Sequence, residues 1–342
     1  MKIGLLTGGG DSPAINGAIR AVVRCAHKSG HSVIGFREGW RGVIEGDFDS
    51  LNDSDVSGIL PRGGTILGTS RTNPLKLENG LDKVKSTLED TGIDGLISIG
   101  GDDTNSVAKA LCEHNIIRCI GIPQTIDNDI PGTEFSIGYD SALNIIVEAL
   151  DRLHTTATSH HRVMLCEIMG RDAGWLALLG GLAGGADEIL IPEVDFKIEE
   201  VCSNLIDRRN RGKSFSIISI AEGAKPAMLD TQITQDQSVD AFGHVRLGGI
   251  GQFLAEEIEK RTGFETRTTV LGHLQRGGVP SAFDRMLATM FGVRAVELLE
   301  QGSTGLMVVW QASEIRAVPF HEALKETRRL PDQFISLAEI FK

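Results

Sequence analysis

The sequence predicts an α/β fold built on mostly parallel sheets with helices packed against them. Short apolar runs typical of buried strands alternate with helical patterns from the N-terminus to about residue 310. The chain contains 41 glycines, which suits many tight strand-to-helix turns. Because 342 residues is long for one compact core, we expect two Rossmann-like lobes.

Each element is assigned from its local pattern. Strands are apolar or β-branched runs between turn residues, and helices are segments in which apolar residues recur every three or four positions. In chain order, strands are predicted over residues 1–7, 32–36, 95–99, 117–122, 163–168, 189–191, 215–221, 265–272 and, as the last, 305–310. Helices are predicted over residues 14–23, 77–91, 105–114, 141–155, 175–182, 196–208, 247–261 and 283–302, with a short helical tail near residue 334.

Composition argues against several classes of protein. The formal net charge of −12 argues against a nucleic-acid partner, although a few focused arginines can still bind a small anion. No apolar run is long enough to span a bilayer, and the first residues form a strand pattern without a signal-peptide cleavage region. The five cysteines have no metal-ligand spacing and predict the reduced thiols of a cytoplasmic protein.

The segment 123–129 follows a predicted buried strand and carries two carboxylates, Asp127 and Asp129. In an extended backbone both side chains face one way, because residues i and i+2 share a face. One carboxylate can then take a proton while the other stays charged or holds a metal ion. The structural alternative is an Asx-rich turn after a strand.

Two glycine-rich stretches have the composition of phosphate-binding turns. Residues 8–10 connect the first strand to the first helix, where backbone N–H groups and a helix N-terminus can face an anion. This stretch matches neither the P-loop nor the dinucleotide fingerprint, so a turn without a ligand stays as the alternative. The stretch 62–71 ends at Arg71 and can lie across a phosphate chain, or it is a surface turn with a solvated arginine.

Asp102 and Asp103 follow the predicted strand 95–99 through two glycines and precede the next helix. Open parallel sheets bind ligands at the carboxyl ends of their strands. Asp102 there suits a Mg²⁺ ion that carries phosphate oxygens. The alternative is an acidic helix N-terminus, which both residues would stabilise without any ligand.

Charged side chains recur at the predicted strand ends. The carboxylates are Asp102, Asp127, Asp129 and Glu222, and the cationic side chains are Arg162, Arg171, Arg267, His273 and Arg276. Together they would supply a base, metal ligands and phosphate-binding groups. That combination suits phosphoryl transfer, which depends on positioning and on neutralising charge.

These motifs together resemble the phosphofructokinase family over nearly the whole chain. The most specific pieces are Thr125-Ile126-Asp127-Asn128-Asp129, Met169-Gly170-Arg171 and Gly272-His273-Leu274-Gln275-Arg276-Gly277-Gly278. The stretch 68–74 and the short C-terminus are similar to the bacterial mixed-substrate group, which uses ATP or pyrophosphate. The resemblance implies a glycolytic 6-phosphofructokinase that phosphorylates the 1-hydroxyl of fructose 6-phosphate, with its active site in the cleft between two lobes.

The resemblance also implies a domain division. A phosphoryl-donor and magnesium lobe would comprise residues 1–138 plus about 275–302. A fructose 6-phosphate lobe would comprise residues 139–274 plus about 303–325. Residues 326–342 would form a C-terminal tail.

The resemblance implies roles for individual residues. Asp127 would be the base that takes the proton from the sugar hydroxyl, with Thr125 and Arg171 stabilising the transferring phosphoryl group. Asp102 would hold Mg²⁺, with Asp129 near it. The implied donor-binding residues are Gly9, Arg71, Asp103, Thr104 and Gln124.

The implied sugar-phosphate site is larger. Its residues would be Thr125, Ile126, Asp127, Met169, Gly170, Arg171, Glu222, His273, Leu274, Gln275 and Arg276. Arg162 and Arg267 would reach the 6-phosphate in a neighbouring subunit. One protomer would then build an incomplete site, which implies a homodimer or homotetramer.

Two positions bear on the donor. ATP-using relatives have glycine after Asp102, where the α-phosphate passes closely, and this chain has Asp103. Two like charges about 4 Å apart cost on the order of 4 kcal/mol at an intermediate dielectric, so Asp103 favours pyrophosphate, which has no α-phosphate to place. Gln124 stands where pyrophosphate-using relatives usually carry lysine and many ATP enzymes glycine, so it fits neither pattern. Its neutral amide can donate hydrogen bonds to an oxyanion without adding charge.

Two other classes of protein share part of this pattern. The NAD-kinase and lipid-kinase group shares the Gly-Gly-Asp turn but lacks the motifs at 125–129 and 169–171. A non-catalytic sugar-phosphate sensor would keep the arginines and could lose the base and metal carboxylates, which are all present here.

The resemblance also bears on regulation. Arg20 and Arg24 lie where effector-binding arginines would, but a third arginine near Asp53 is absent, so weak or absent effector control is expected.

Overall fold

The computed structural model describes residues 1–229, 231–239 and 245–340, and it has the predicted α/β alternation. The strands are β1 Lys2–Thr7, β2 Ser32–Phe36, β3 Phe48–Leu51, β4 Gly95–Gly100, β5 Cys119–Pro123, β6 Val163–Ile168, β7 Glu188–Leu190, β8 Ser216–Ala221, β9 Thr234–Val239, β10 Val245–Leu247, β11 Thr266–Val270, β12 Leu306–Gln311 and β13 Glu314–Pro319. The helices are α1 Ile15–Lys28, α2 Trp40–Glu45, α3 Gly80–Thr91, α4 Asp102–Glu113, α5 Tyr139–His160, α6 Trp175–Ala183, α7 Ile198–Asn210, α8 Ile250–Thr262, α9 Ala282–Glu300, α10 Phe320–Ala323 and α11 Asp332–Glu339. Short 3₁₀ turns lie at Pro74–Lys76 and Gly272–Arg276.

The chain divides into two compact units. Unit 1 comprises Met1–Ile126, Ile130–Ser141 and Arg276–Thr327. Unit 2 comprises Asp127–Asp129, Ala142–Gln275 and the residues from Arg328 onward. The chain therefore passes between the units several times, and each unit is assembled from separate stretches of sequence.

Unit 1 contains a seven-stranded sheet in the order β13-β12-β5-β4-β1-β2-β3. The strands from β12 to β2 are parallel, and the outermost pairs at both edges are antiparallel. Alternate residues of a strand face opposite sides of a sheet, so Leu5 and Leu6 enter different hydrophobic clusters. The first cluster includes residues of α1 and α9, and the second includes residues of α2, α3 and α4. Both faces are buried, as expected for a parallel sheet with helical crossovers.

Unit 2 contains a four-stranded, entirely parallel sheet in the order β11-β6-β8-β7. Every residue of β6 and β8 is buried. Buried Glu167 lies within β6, and its carboxylate accepts hydrogen bonds from the N–H groups of Gly249 and Gly251, at 2.8–3.2 Å, at the start of α8. A carboxylate at a helix N-terminus satisfies otherwise unpaired donors and complements the helix dipole.

The expected placement of residues 303–325 in the sugar-phosphate lobe is wrong. β12 pairs in parallel with β5, and β13 pairs with β12, so both belong to the sheet of unit 1. The expectation that 305–310 is the last strand is also wrong, because β13 follows it. The connection uses Ala312 and Ser313 with φ of 50° and 62°, which a two-residue hairpin turn requires but which the sequence normally signals by Asn or Gly.

Other short elements were also missed. α2, β3 and the antiparallel pair of β9 and β10 were not predicted. α4 begins at Asp102, three residues earlier than expected. Its two aspartates are therefore part of the first helical turn.

Candidate active site

Three neighbouring strands of unit 1 end at the same edge of its sheet. Thr7 is level with Ile99, and Gly100 is level with Pro123. The residues that follow β1, β4 and β5 are Gly8 to Gly10, Gly101 to Thr104, and Gln124 with Thr125. All the predicted donor residues except Arg71 thus follow adjacent strands at one edge, as the parallel arrangement requires.

The turn after β1 is packed too closely for a side chain. A Cβ on Gly8 would lie 2.8 Å from Thr104 Oγ1, and one on Gly100 would lie 2.6 Å from Thr104 Cβ. Thr104 is only 2% exposed, and its carbonyl accepts a hydrogen bond from Trp40 Nε1 at 3.1 Å. Thr104 therefore packs against both glycine turns and leaves no room for a side chain at Gly8 or Gly100.

The glycine-rich loop that ends at Arg71 lies beside the same turn. Gly9 donates its N–H to the Ser70 carbonyl at 3.2 Å, and Thr69 Oγ1 donates to the Gly9 carbonyl at 2.7 Å. Gly9 has φ of +84°, a conformation that favours glycine. The exposed Arg71 directly follows Ser70, so the two stretches predicted from sequence meet in unit 1.

Two further side chains donate hydrogen bonds to the backbone of Gly10 and Asp11. Gln124 is 1% exposed, and its Nε2 donates to the Gly10 carbonyl at 3.0 Å. Arg276 Nη1 donates to the Asp11 carbonyl at 3.2 Å, and a Cβ on Gly10 would lie 1.9 Å from that nitrogen. Within unit 1 both side chains hold the glycine turn, a role that the sequence reading did not give them.

Asp102 and Asp103 are the two acidic residues in the first turn of α4. Asp102 is exposed and Asp103 half-buried. Among the residues that the structure describes, no group of three or more His, Cys, Asp or Glu side chains could hold a metal ion. Mg²⁺ is usually bound by one or two carboxylates plus substrate phosphates, so an exposed carboxylate at this position fits it.

Unit 2 has a corresponding edge. Ile168 is level with Ala221, and Val270 is level with Glu167, so β6, β8 and β11 end side by side. The residues that follow them are Met169 to Arg171, Glu222, and the 3₁₀ turn Gly272–Arg276, whose last residue belongs to unit 1. Of this last turn, His273 and Leu274 are exposed and Gln275 is buried. The predicted sugar-binding residues of unit 2, other than Arg162 and Arg267, are thus brought to one edge or lie on the 127–129 turn.

Glu222 organises this edge. Its Oε1 accepts hydrogen bonds from the N–H groups of Gly170 at 3.4 Å and Arg171 at 3.2 Å. Gly170 and Arg171 have φ of 144° and 53°, which turn both N–H groups towards the carboxylate. The pKa of Glu222 is raised to about 7, chiefly by burial and then by the nearby charge of Asp127, while the two N–H groups oppose the shift.

The backbone from Asp127 to Asp129 is not extended. Asn128 has φ of +54°, in the left-handed region that asparagine tolerates better than most residues. The alternation that the sequence prediction assumed is therefore absent. Asp127 is 7% exposed, whereas Asp129 is more accessible, so the two carboxylates have different surroundings.

A residue that sequence reasoning missed fastens this turn. Arg328 donates its backbone N–H to the Asp129 carbonyl at 2.7 Å and its Nη1 to the Asn128 carbonyl at 3.4 Å. Its guanidinium lies 4.0 Å from the centre of the Trp175 ring, and Trp175 Nε1 donates to the Arg328 carbonyl at 3.0 Å. No local pattern marks Arg328, because its partners lie about 150 to 200 positions earlier in the chain.

Arg162 and Arg267 lie at the other edge of the unit 2 sheet. Arg162 precedes β6, and Arg267 is the second residue of β11. Both bind Glu265 Oε1, at 2.7 Å and 2.5 Å, and the hydrogen bond from Arg162 lowers the pKa of that carboxyl. A strand of six residues spans about 20 Å, which separates them from Glu222 in the same chain.

Comparison with known proteins decides the family. The family model described as phosphofructokinase matches residues 2–299. The chain belongs to the phosphofructokinase family. This confirms the family resemblance drawn from the motifs.

Similar proteins of this family are named for two different donors. A pyrophosphate--fructose 6-phosphate 1-phosphotransferase of Streptomyces coelicolor is 53% identical over 94% of each chain. An ATP-dependent 6-phosphofructokinase of Corynebacterium efficiens is 47% identical over 97% of this chain and 96% of the other. Both kinds of name are therefore found among close relatives, which confirms the resemblance to the mixed-substrate group.

The fold class is confirmed by solved structures. The phosphofructokinase of Saccharomyces cerevisiae superposes with a TM-score of 0.82 and 32% identity. The match covers 99% of this chain and 46% of that one. No helix in the described part of this phosphofructokinase is long and apolar enough to cross a membrane.

Proposed function

We propose that this phosphofructokinase transfers a phosphoryl group reversibly between pyrophosphate and the 1-hydroxyl of D-fructose 6-phosphate in the cytoplasm. The names of its relatives support the phosphofructokinase reaction, and the relative at 53% identity is named for pyrophosphate. The five free cysteines suit a reducing compartment.

The observation that carries the choice of donor is Asp103. It lies in the first turn of α4, one residue after Asp102, which follows Gly100 and Gly101. A nucleotide whose α-phosphate passed this turn would meet a carboxylate there. Pyrophosphate ends before that position, so the repulsion falls on ATP alone. The alternative is an ATP-dependent enzyme, and the names of relatives at 47–49% identity favour it.

The donor would bind at the unit 1 edge. The turn around Gly9 leads to the N-terminus of α1, where backbone N–H groups can face an anion, and Arg71 adds a positive charge. Gln124 and Thr104 would act by holding this turn, since both are buried. Mg²⁺, which Asp102 and Asp129 would hold, would neutralise charge on the phosphates.

The sugar phosphate would bind at the unit 2 edge. Met169, Gly170 and Glu222 would hold the sugar with Ile126, Leu274 and Gln275, while His273 and Arg276 would bind its 6-phosphate. Asp127 would accept the proton of the 1-hydroxyl, and Thr125 with Arg171 would stabilise the phosphoryl group in transit. Asp127 is only 7% exposed, so little water would compete with the sugar hydroxyl for its carboxylate.

Arg162 and Arg267 would serve a second copy of the chain. They lie at the amino ends of their strands, whereas Glu222 lies at a carboxyl end. They can join a sugar-phosphate site together with these residues only if that site belongs to a neighbour. We therefore propose a homodimer or homotetramer in which these arginines complete the partner's site.

One assay tests the donor. Purified protein with Mg²⁺ and fructose 6-phosphate is supplied with either pyrophosphate or ATP, and fructose 1,6-bisphosphate is measured. We expect a higher kcat/KM with pyrophosphate. Asp103→Gly should gain ATP use, while Asp90→Gly, an exposed acidic residue of α3, should not. A kcat/KM for ATP that equals or exceeds the value for pyrophosphate in the unaltered protein would contradict pyrophosphate as the preferred donor.

A second assay tests the base. Asp127→Asn keeps the size of the side chain and should lower kcat by about 10²–10⁴-fold, with binding of fructose 6-phosphate largely retained. Calorimetric titration of the sugar phosphate measures the binding separately. A variant that retains turnover would remove Asp127 from its role, and intact binding without any turnover in the unaltered protein would favour a sugar-phosphate sensor.

A further inference from the structure

Two cysteines of unit 1 share one small volume at the end of α4 that is far from its aspartates. Cys112 lies in the last turn of α4, and Cys119 is the first residue of β5. Both sulfur atoms lie 3.8 Å from the carbonyl oxygen of Ile117, and Cys112 Sγ lies 4.0 Å from the carbonyl of Cys119. Because the two sulfurs border the same carbonyl oxygen, the two thiols are neighbours. No sequence motif predicts this pairing, because the spacing of the cysteines matches no metal-ligand pattern.

A hydroxyl group lies beside the sulfur of Cys112, in addition to the two carbonyl oxygens. Thr304 Oγ1 lies 3.3 Å from its sulfur and accepts the N–H of Cys119 at 3.2 Å. The hydroxyl of Thr304 has one proton to donate, and the sulfur of Cys112 is within its reach. Such donors stabilise a thiolate more than a thiol.

The two thiols differ in acidity and in access. The hydrogen bond from Cys119 lowers the pKa of Cys112 to about 6 against the opposing effect of burial, with Thr304 helping. Burial raises the pKa of Cys119 well above its usual value. Cys112 is partly exposed, whereas Cys119 is fully buried. At neutral pH the pair is therefore an accessible thiolate next to a shielded thiol.

We propose that Cys112 and Cys119 form a peroxide-responsive pair that closes to a disulfide. The Cys112 thiolate attacks hydrogen peroxide, so an S–O bond forms, the O–O bond breaks and hydroxide leaves. The Cys119 thiol then attacks the sulfenic acid at Cys112, forming the S–S bond and releasing water. The two sulfurs lose two electrons, and the peroxide is reduced.

Cys25 provides the matched control. It is also partly exposed and free, but burial and then the charges of Glu300 and Glu297 raise its pKa. It has no second cysteine among its hydrogen-bond partners in the described residues. Exposure alone would make Cys25 and Cys112 equally reactive, whereas the proposed pair makes Cys112 react first.

The experiment uses the full chain and mass spectrometry. Protein at pH 7 is treated with a small excess of hydrogen peroxide, blocked with N-ethylmaleimide and digested with trypsin. Cleavage after Lys109, Arg118 and Arg152 places the two cysteines on different peptides, 110–118 and 119–152. We expect these peptides to be joined, and a dithiol reductant added before blocking should separate them.

Variants assign each step. Cys119→Ala should stop at the sulfenic acid, which dimedone traps on Cys112, and Cys112→Ser should give neither product. Cys25→Ser should behave as the unaltered protein. Without peroxide, Cys112 should be alkylated roughly tenfold faster than Cys25 at pH 7.

The unaltered protein alone can overturn the proposal. If peptides 110–118 and 119–152 stay separate while Cys25 oxidises as fast as Cys112, the pair does not act as a unit. The same conclusion holds if Cys112 or Cys119 is found in a disulfide with the peptide that contains Cys25. Neither outcome depends on how well a variant folds, nor on which phosphoryl donor the enzyme uses.

Discussion

The two sheet edges have the same plan and different construction. In each unit three neighbouring parallel strands end together, and the residues that follow them are the candidate ligands. At the unit 1 edge, glycines pack where a Cβ would collide with Thr104 or Arg276. At the unit 2 edge, one buried carboxylate, Glu222, gathers the N–H groups of the neighbouring loop.

This difference predicts how each edge responds to amino-acid substitution and to pH. An edge built from close backbone packing is largely indifferent to pH and depends on the absence of side chains. An edge gathered by a carboxylate with a pKa of about 7 changes its charge within the working range of most enzymes. The two edges should therefore fail in different ways.

The largest effect on stability should come from two glycine-to-alanine substitutions in which the added Cβ would lie equally close to another atom. A Cβ on Gly223 would lie 1.9 Å from the Arg171 carbonyl oxygen, and one on Gly10 would lie 1.9 Å from Arg276 Nη1. The carbonyl belongs to the backbone and cannot step aside, whereas the guanidinium ends a flexible side chain. Gly223→Ala should cost about 3 kcal/mol of folding free energy and Gly10→Ala about 1 kcal/mol.

Thermal unfolding measures this contrast. With about 2–4 °C per kcal/mol for domains of this size, Gly223→Ala should lower Tm by about 6–12 °C and Gly10→Ala by about 2–4 °C. Equal shifts for Gly223→Ala and Gly10→Ala would mean that the loop at Arg171 yields as easily as a side chain.

The next effect should be the pH dependence conferred by Glu222. Its folded pKa of about 7 exceeds the usual 4.5, so the folded protein holds a proton that the unfolded chain releases. Its contribution to stability is complete below about pH 4.5 and is lost as pH rises to about 7, by an amount on the order of 3 kcal/mol. Glu222→Gln should remove this loss.

Thermal melts of both proteins from pH 5 to 8 measure it. Burial also raises the pKa of Asp284 in unit 1, to about 6, so its contribution to stability is lost at lower pH than that of Glu222. The interval from pH 6 to 7 therefore reports mainly on Glu222. There the unaltered protein should lose stability relative to the glutamine variant. Parallel curves across that interval would show that Glu222 is already ionised.

The smallest effect should come from the Arg328 contact. Arg328→Ala removes the guanidinium from Trp175 and from the Asn128 carbonyl but keeps the backbone N–H to Asp129. We expect a loss of about 1–2 kcal/mol. The turn would be held less firmly, so kcat should fall more than KM rises. Arg329→Ala, at the exposed neighbouring position, should change neither. A KM effect alone would place Arg328 in substrate binding instead.

Much of the architecture was readable because it is local. Strands, helices and the glycine turns after β1 and β4 follow from patterns a few residues long, and parallel pairing then gathers their ends. What was missed depends on distant partners or on unusual backbone. The turn at Ala312 and Ser313 lacks the usual residues, and Asn128 adopts φ of +54° in a segment expected to be extended. Gln124 on Gly10 and Arg328 on Trp175 join positions 114 and about 150 apart, which no periodicity reveals.

The order of strands in unit 1 has a consequence for synthesis on the ribosome. The parallel sheet of unit 2 lies within one continuous stretch and is complete once Val270 has emerged. The core around β1 also requires α9, and β5 lacks its outer neighbour until β12 appears. The face of β1 that packs on α9 therefore stays partly uncovered until that helix has been translated, whereas the other face can pack early on α2, α3 and α4. The nascent N-terminal segment thus exposes apolar surface that favours aggregation.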